Sequence, residues 1–377
     1  MAYPPPDEQM QAQVLEEFNK PYQFRRVNIP QDIADNEVIV QVAAAGYCHT
    51  DLAVAAGTRT ADPRNPLQLP HIGCHEFAGT VVSHASNPTQ DAAALQLSAR
   101  VGVPGRGHGA CGSCFECNHP GDGDQAGYSF FCPEMRSNGI TTNGGFAEYA
   151  VVDARQCVPL PDGMQMIHAA PMMCAGVTIY NAIKRCGLQQ GQRLAILGAG
   201  GGLGHLGLQF GEAMGLRMMG VDAADGPLEL ARGLKTRAEI VDARAVTAES
   251  VVERVGKEDG RAGADRGFDA VIILPEAQVG FDYGMKLLRN HAVCVAVSIP
   301  PEGWHVSAVD LVFRGIVVKG SILGSRAVLK ETVAFAAKHG IAPVTTACPL
   351  EKLNDLVEDF HKGLGARLVV DMSLNAA

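Results

Sequence analysis

Short apolar runs rich in β-branched residues recur through the first 160 residues, and each is bounded by glycines or polar residues. Residues 37–42 (EVIVQV) and 77–82 (FAGTVV) have the composition and length of β-strands. The segments between such runs are long and contain most of the cysteines and histidines of this region. The pattern predicts a β-rich N-terminal part with its candidate chemistry in the loops.

Around residue 193 the pattern changes to short apolar runs that alternate with segments of helical character. The predicted strands are residues 194–197, 217–221, 239–241, 268–273 and 292–297, and the predicted helices are residues 203–216, 227–235 and 281–288. Strands that alternate with helices indicate βαβ units and a parallel sheet. The sequence therefore predicts an α/β fold, and the last fifty residues return to mixed helix and strand.

The composition narrows the class of protein. Hydrophobic residues make up 47% of the 377 residues and charged residues 19%, against about 25% charged in an average globular protein. These values exclude a disordered chain and a charge-rich coiled coil, and the length predicts two or three domains. The net charge of −9 argues against a nucleic acid or an anionic membrane as a partner.

No targeting or membrane segment is evident in the sequence. The first 13 residues are proline-rich and polar and have no apolar core of a secretory signal. The longest uncharged stretch, residues 163–183, carries several polar side chains and fits a buried helix-and-turn region better than a bilayer span. We therefore expect a soluble cytoplasmic protein, in which the eleven cysteines are reduced and clustered thiols indicate metal binding or catalysis.

The densest cysteine cluster consists of Cys111, Cys114, Cys117 and Cys132. Four thiolates can surround one zinc ion and leave no open position, so the pattern predicts a structural zinc site. The alternatives are an iron–sulfur site, a redox pair and thiols without a ligand, but nothing nearby indicates electron transfer.

A second, dispersed set consists of Cys48, His75 and Cys174, with His71 and Cys74 as rival ligands. Two thiolates and one imidazole match a catalytic zinc site whose fourth position is open to water or substrate. The spacing alone does not separate this hypothesis from ordinary packing of these side chains.

A glycine-rich segment, residues 194–204 (LAILGAGGGLG), contains a strand, a turn and the start of a helix. Glycines let the backbone approach a pyrophosphate, and the helix N-terminus favours its negative charge. Asp222 follows 18 residues after Gly204, at the end of the next strand, where a carboxylate binds the ribose hydroxyls of NAD and repels the 2′-phosphate of NADP. The alternative is a glycine-rich packing turn, and His205 is expected on an ordinary helix face.

Together these motifs resemble the zinc-dependent alcohol dehydrogenases of the medium-chain dehydrogenase/reductase family, and within it the tetrameric yeast-type branch. The resemblance runs from about residue 37 to residue 371, and it rests on residues 48–51 (CHTD), 73–76 (GCHE), 169–180, 198–204, 320–326 and 365–371 and on the four-cysteine cluster. It implies a GroES-like catalytic domain formed by residues 1–174 and 325–377, with a structural-zinc lobe at about 105–135, around a Rossmann domain formed by residues 175–324.

The resemblance also implies roles for individual residues. Cys48, His75 and Cys174 would bind the catalytic zinc, in preference to His71 and Cys74. Glu76 would lie behind the metal, Asp51 would accept a hydrogen bond from the second ring nitrogen of His75, and Thr50 would bond the substrate hydroxyl. The implied cofactor contacts are His49, Gly198, Gly200, Gly201, Gly202, Leu203, Gly204, Asp222, Arg326 and Arg367.

The implied activity is the interconversion of a small-molecule alcohol with an aldehyde or ketone, by hydride transfer to or from NAD(H). Two zinc ions are expected in each chain, one as a Lewis acid on the substrate oxygen and one structural. A homotetramer or a homodimer is implied by the family, in which Rossmann domains pair edge to edge.

The chain departs from the yeast-type pattern at several positions. Ala56 stands where that branch has a proton-relaying histidine, and Pro227 stands where it has a ribose-binding lysine. Arg59 and Arg106 align with two tryptophans that narrow its pocket, and Ile299 is a further expected pocket residue. The segment between the third and fourth cysteines of the cluster is also longer than in the family.

These departures leave two other hypotheses open. A reductase of the same fold would act on a bulky or carboxylate-bearing carbonyl in a wider, more basic pocket, if Arg59 and Arg106 do not simply pair locally or face solvent. A catalytically inactive dinucleotide-binding relative would explain Ala56 but not the retained ligand set. A zinc-free quinone or enoyl reductase is disfavoured because Cys48, His75 and Cys174 would then have no function.

Overall fold

The computed structural model describes residues 8–58, 67–121, 124, 126–363 and 366–374. The strands are β1 (Gln9–Leu15), β2 (Gln23–Asn28), β3 (Glu37–Tyr47), β4 (His71–Ile72), β5 (Glu76–His84), β6 (Arg100–Pro104), β7 (Arg106–His108), β8 (Arg136–Ser137), β9 (Tyr149–Asp153), β10 (Val158–Pro159), β11 (Arg193–Leu197), β12 (Arg217–Asp222), β13 (Glu239–Asp242), β14 (Phe268–Ile273), β15 (Leu288–Ala296), β16 (Val317–Gly320), β17 (Thr345–Cys348) and β18 (Arg367–Asp371).

The α-helices are α1 (His49–Ala55), α2 (Gln90–Ala94), α3 (Phe115–Asn118), α4 (Met166–Pro171), α5 (Val177–Cys186), α6 (Gly204–Ala213), α7 (Asp225–Gly233), α8 (Ala248–Glu258), α9 (Gln278–Leu287), α10 (Ala308–Val312), α11 (Arg326–His339) and α12 (Leu353–His361). A π-helical turn, Met172–Gly176, joins α4 to α5, and two short 3₁₀ turns are Gly263–Asp265 and Leu350–Lys352.

A seven-stranded sheet forms the β-rich unit, in the order β10-β6-β5-β3-β18-β17, with β9 also paired to β3. The central strand β3 is almost wholly buried because it lies between β5 and β18 and packs against apolar side chains on both faces. Strand β18 is contributed by the C-terminal end of the chain, with Leu368 opposite Tyr47. Both ends of the sequence are therefore needed to complete this unit.

The second unit is a six-stranded parallel sheet in the order β13-β12-β11-β14-β15-β16, flanked by α5 to α9. Its two central strands are buried along their whole length, all five residues of β11 and all six of β14, as expected for a sheet covered on both faces. The strand order reverses between β11 and β14, where a doubly wound fold opens a binding crevice at the carboxyl ends of its strands. The predicted α/β fold is confirmed.

The five strands and three helices predicted beyond residue 193 are all present, with ends that differ by a few residues. Among the elements that were not predicted individually, β1 and α8 carry clear sequence signals. Strand β1 buries Met10, Ala12 and Val14 on alternate positions, and helix α8 buries Val251 and Val255 at helical spacing. The alternation in β1 and the helical spacing in α8 are both present in the sequence, but β1 lies in a segment that is polar overall.

One helical stretch among the described residues, Met166–Cys186, is long and apolar enough to cross a membrane by length and composition. It contains α4, the π turn and α5, and 78% of its apolar window is buried inside the protein, as in the core helix of a folded domain. Pro171 precedes the π turn, and a proline removes one backbone hydrogen bond from the helix ladder. The π turn carries Cys174.

Candidate active site

Helix α1 begins at a cysteine that caps its own N-terminus. The Cys48 sulfur accepts a hydrogen bond from the Thr50 backbone N–H (3.5 Å), and the Asp51 carboxylate accepts one from the Cys48 backbone N–H (2.9 Å). This reciprocal arrangement is a capping box, with a thiol in place of the usual hydroxyl. The cap fixes the Cys48 sulfur at the junction between strand β3 and the helix.

Asp51 is fully buried and organises the neighbouring segment as well. Its Oδ1 accepts a hydrogen bond from the Cys74 backbone N–H (3.2 Å) and lies 3.0 Å from Nδ1 of His75. The opposite ring nitrogen of His75, Nε2, lies 3.3 Å from the Cys48 sulfur. One carboxylate therefore holds the backbone on both sides of the site and orients the imidazole.

Cys174 completes the group from the π turn. One potential ligand atom from each of Cys48, His75, Glu76 and Cys174 lies within 4.8 Å of the other three. We call these four residues the Cys/His cluster. Two thiols and an imidazole are ligands that zinc prefers, and the partner of His75 Nδ1 leaves the Nε2 lone pair free for a metal. The donor set fits a zinc ion.

The two sulfurs of the Cys/His cluster are electrostatically coupled. The hydrogen bond from Cys174, together with the nearby His75, lowers the pKa of Cys48 well below its usual value. The same hydrogen bond, with burial, raises the pKa of Cys174. Opposite shifts are the behaviour of two sulfurs that share one proton. Binding of a divalent cation displaces such a proton, because thiolates are the metal ligands.

Glu76 lies behind this group and contacts the Arg367 guanidinium, and both side chains are fully or almost fully buried. Burial raises the pKa of the Glu76 carboxyl, and Arg367 opposes that rise. Among the described residues, Glu76 Oε2 has no hydrogen-bond partner. A Cβ at Gly46 would lie 2.1 Å from Glu76 Oε1, so this strand position must be glycine. Sequence reasoning missed Gly46, although a glycine inside a strand signals such a close approach.

The rival ligands His71 and Cys74 lie nearby but outside the Cys/His cluster. The Cys74 thiol donates to the carbonyls of Gly46 and Glu76, each at 3.4 Å, and burial raises its pKa. His71 is buried in β4, where burial lowers its pKa. Both side chains belong to the packing around the site.

The glycine-rich loop, residues 198–204, connects β11 to α6 at the carboxyl end of the parallel sheet. Three of its glycines have no space for a side chain. A Cβ at Gly200 would lie 1.8 Å from the Pro227 carbonyl oxygen, and a Cβ at Gly204 would lie 2.2 Å from the Gly198 carbonyl oxygen. A Cβ at Gly202 would lie 2.7 Å from a guanidinium nitrogen of Arg367.

Two charged groups flank this loop. Asp222 accepts hydrogen bonds from the backbone N–H groups of Gly200 (3.0 Å) and Ala223 (2.8 Å). Arg367 approaches from the β-rich unit, and its Nε is buried without a partner in the part of the chain that the structure describes. A glycine cradle, a helix N-terminus and a buried arginine fit the pyrophosphate of a dinucleotide.

Cys111, Cys114, Cys117 and Cys132 also meet, with their four sulfurs within 4.8 Å of one another. We call them the four-cysteine cluster. Cys114 caps α3 and accepts from the Cys117 backbone N–H (3.4 Å), and the Cys132 sulfur accepts from the Cys111 backbone N–H (3.3 Å). Cys111 is exposed, whereas Cys117 and Cys132 are buried. Four sulfurs in this arrangement fit a structural zinc ion.

The remaining predicted site residues lie at varied distances from these centres. His49 is exposed on α1, with its ring centroid 6.5 Å from that of Phe360. Thr50 follows it and is half-buried beside the Cys48 sulfur. Ile299 is 63% exposed in the segment after β15.

Arg326 begins helix α11 and has partners other than the glycine-rich loop. Its Nε donates to the Cys157 carbonyl (3.2 Å), and its guanidinium lies 3.6 Å from the Asp91 carboxylate. Asp124, in the long segment between the third and fourth cysteines of the four-cysteine cluster, accepts from the backbone N–H groups of Arg326 and Ala327. This longer segment thus connects the structural-zinc lobe to α11 by two hydrogen bonds.

Arg106 lies on β7, directly after Gly105, which packs against the predicted zinc ligand His75. A Cβ at Gly105 would lie 2.5 Å from the Cβ of His75. The Arg106 Nε donates to the Phe130 carbonyl at 3.2 Å, so this guanidinium pairs locally with the lobe. Arg59, the other predicted pocket arginine, lies outside the described residues.

Comparison with protein families gives two matches. The model of the alcohol dehydrogenase GroES-like domain matches residues 34–162. The model of the zinc-binding dehydrogenase domain matches residues 202–338. The first contains Cys48, His75 and the four-cysteine cluster, and the second begins inside the glycine-rich loop.

Similar proteins cover nearly the whole chain. An alcohol dehydrogenase of Geobacillus stearothermophilus is 34% identical, over 96% of this chain and 99% of the relative. One of Moraxella sp. (strain TAE123) is 32% identical, over 97% of this chain and 100% of the relative. The crystal structure of an alcohol dehydrogenase from the archaeon Aeropyrum pernix matches with a TM-score of 0.80 and 27% identity, over 96% of this chain and 99% of that one.

Proposed function

The chain belongs to the zinc-dependent medium-chain alcohol dehydrogenases, and on that premise we propose that Cys48, His75 and Cys174 bind its catalytic zinc and that residues 198–204 bind NAD(H). The enzyme is a zinc-dependent alcohol oxidoreductase. The observation that carries the proposed assignment is the meeting of two thiols, an imidazole and a carboxylate beside the glycine-rich loop, with Arg367 in contact with both.

When bound, zinc supplies a Lewis acid for the substrate oxygen, and NAD(H) accepts or supplies the hydride. The protein prepares both sites. Asp51 keeps the proton of His75 on Nδ1, so that Nε2 is available as a ligand. Burial of Cys48 and His75 excludes bulk water and strengthens electrostatic interactions at the substrate.

The substrate proton needs a path that does not use a histidine at position 56. Ala56 cannot carry a proton, but Thr50 lies beside the Cys/His cluster and His49 precedes it on the exposed side of α1. We assign Thr50 to the substrate hydroxyl and His49 to the end of the path at solvent. Loss of the relay histidine then slows proton release without removing the hydride step.

Asp222 is the basis for proposing NAD over NADP. Its carboxylate is held by the Gly200 and Ala223 backbone N–H groups at the end of β12, where it repels a 2′-phosphate. Pro227 has a steric role in this chain, because its carbonyl lies against Gly200 and leaves no space for a side chain there.

Steady-state assays of purified, zinc-replete protein test this proposal. We expect NADH-dependent reduction of aldehydes and ketones, much weaker turnover with NADPH, and two zinc ions per chain. His75→Ala should lose one zinc ion and the activity. Cys157→Ala, which changes a buried thiol outside both clusters, should keep the wild-type zinc content and activity. Turnover that survives His75→Ala would disprove the assignment, and bound zinc without turnover of any carbonyl would favour the inactive relative.

We also assign the enzyme to a homodimer or a dimer-based homotetramer. Strand β16 is at the edge of the parallel sheet, and nearby apolar side chains are exposed: Val312 by 74%, Phe313 by 79% and Val317 by 48%. An apolar surface beside a sheet edge is typical of an interface between subunits. Light scattering after size exclusion should give at least a dimer for the wild type and a smaller species for Phe313→Asp. A monomeric wild type would contradict this.

The proposed compartment is the cytoplasm. All eleven cysteines are free thiols, and both proposed zinc sites need thiolates, which a reducing compartment maintains. Fractionation of cells that express the tagged protein checks this location.

A further inference from the structure

Helix α6, which starts at the end of the glycine-rich loop, is connected by two side chains to the segment 342–344. This segment leads into strand β17 of the β-rich unit. His205 is fully buried, with Nδ1 2.9 Å from the Gly201 carbonyl oxygen and Nε2 3.1 Å from the Val344 backbone nitrogen. One turn later, Gln209 Nε2 lies 3.1 Å from the Ala342 carbonyl oxygen.

The two partners of His205 define its protonation. A carbonyl oxygen only accepts, so Nδ1 carries the proton, and a backbone N–H only donates, so Nε2 has a free lone pair. The imidazole is therefore neutral, in agreement with burial, which lowers its pKa to about 4. A neutral imidazole in a single tautomer is a fixed connector between the glycine-rich loop and the other unit.

The connection continues to the arginine beside the loop. The Val344 carbonyl accepts from the Arg367 backbone N–H (2.7 Å), and residues of β17 and β18 are paired from Thr345 and Arg367 onwards. The Arg367 side chain then returns to Gly202 and Glu76. Hydrogen bonds thus run from Gly201 through His205 and Val344 to Arg367, across the two units.

We propose that His205 and Gln209 are positioning residues that hold the glycine-rich loop in register with Arg367 and thereby set the affinity for the dinucleotide. The proposal rests on the proposed location of NAD(H) at this loop. Neither side chain is required to contact the cofactor. A shift of α6 against segment 342–344 would move the loop amides away from the guanidinium, so that one pyrophosphate could not bind both.

Three substitutions at His205 separate positioning from simple packing. His205→Asn retains a donor near Gly201 but is too short to reach Val344. His205→Gln places an oxygen at the depth of Nε2 and can accept from Val344. His205→Phe fills the space and makes neither bond. Phe210→Leu is the matched control, because it changes a fully buried side chain on the same helix that packs on Tyr180 and Phe335.

NADH affinity is measured by fluorescence titration, and melting temperature and zinc content are measured on the same samples. We expect His205→Asn and His205→Phe to weaken NADH binding about tenfold, since each leaves the Val344 N–H unsatisfied. His205→Gln should recover affinity to within about threefold of the wild type. Zinc content should not change, and Phe210→Leu should lower the melting temperature without changing the affinity.

Hydrogen exchange of the protein without cofactor gives an independent readout. The Val344 N–H should exchange faster in His205→Asn and Gln209→Leu than in the wild type, and near the wild-type rate in His205→Gln. NADH affinity that follows melting temperature equally in all variants, including Phe210→Leu, would overturn the proposal. Gly200→Ala separates the two proposals. Unchanged NADH binding in Gly200→Ala would disprove the location of the cofactor at the glycine-rich loop. NADH binding that is lost in Gly200→Ala but unchanged in His205→Asn would disprove only the positioning role of His205.

Discussion

The two clusters that fit zinc are built in opposite ways. The Cys/His cluster draws its ligands from segments as distant as Cys48 and Cys174, and it lies between the two largest hydrophobic cores. The four-cysteine cluster takes all of its ligands from a single short segment between Cys111 and Cys132. Among the residues that the structure describes, its own apolar cluster has three buried members, Ala110, Cys117 and Cys132.

This difference indicates how far the structure of each cluster depends on metal binding. In the Cys/His cluster, Asp51 and the capping box hold Cys48 and His75 by hydrogen bonds of their own, so we expect the fold to position these side chains and the metal to supply chemistry. The four-cysteine cluster has little apolar surface to bury, and the structure of such small lobes is supplied mainly by metal binding. We therefore expect activity to depend on the first cluster and local stability on the second.

The largest effect should follow from removal of a ligand in the Cys/His cluster. Cys174→Ala should lower turnover by at least about 1,000-fold, because the Lewis acid contributes several kcal/mol to the barrier. One zinc per chain should be lost, while the melting temperature should fall less than it does after loss of a ligand in the four-cysteine cluster. Metal analysis, calorimetry and NADH oxidation provide the three measurements. Collapse of the fold in this variant would show that the cluster is structural after all.

A matched change in the other cluster should give the reverse result. Cys117→Ser should release the second zinc and destabilise the protein by about 3 kcal/mol, or about 4 °C in melting temperature for a chain of 377 residues. Limited proteolysis should cut first within about residues 105–135, and turnover per folded molecule should remain near the wild-type value. Retained stability together with lost zinc would remove the structural role of this ion.

The Cys/His cluster should also depend on its buried carboxylate. Asp51→Asn weakens the hydrogen bond that orients His75, so zinc affinity should fall about 10- to 100-fold. Chelator competition measures this affinity. The matched control is Asp153→Asn, which changes a fully buried carboxylate that bonds the Gly109 backbone N–H beside the lobe. An equal loss of catalytic zinc in both variants would show a general loss of stability, not an orienting role.

The smallest effect concerns Arg106, which lies between the clusters. Because its guanidinium pairs with the Phe130 carbonyl, Arg106→Trp should not destabilise the protein strongly. With this local pairing, we expect the relative turnover of bulky and small aldehydes to stay within about twofold of the wild type. Rates on aldehydes of graded size measure this. A preference shifted strongly towards small aldehydes would show instead that Arg106 lines a wider, basic pocket.

The sequence predicts most of the parallel sheet because its central strands are local, largely apolar runs, such as Phe268–Ile273. The four-cysteine cluster is equally local, since its ligands are close along the chain. The Cys/His cluster is not, because no local pattern indicates that a π turn after Pro171 brings Cys174 to His75. Family resemblance supplied that assignment, which remains a prediction until ligands are changed.

Other contacts could not be predicted because they depend on how two units pack. The sequence gives His205 as a residue of an ordinary helix face, and only the fold shows its bonds to both Gly201 and Val344. The contacts of the Arg326 guanidinium with Asp91 and the Cys157 carbonyl likewise have no signal in the sequence, and its role as a cofactor contact stays a prediction. Short polar segments between units carry no periodic signal, so their partners appear only in three dimensions.

The pairing of β18 with β3 has a consequence for how the protein is made. Strand β3 leaves the ribosome first, and its neighbour β18 is synthesised roughly 300 residues later, or about 15–60 s at usual rates of synthesis. The four cysteines emerge together and can take up their ion while translation continues. The catalytic half must wait, with Cys48 and His75 already synthesised, until the last strand arrives. Metal supply and chaperone protection during that interval then matter more for the catalytic site than for the lobe.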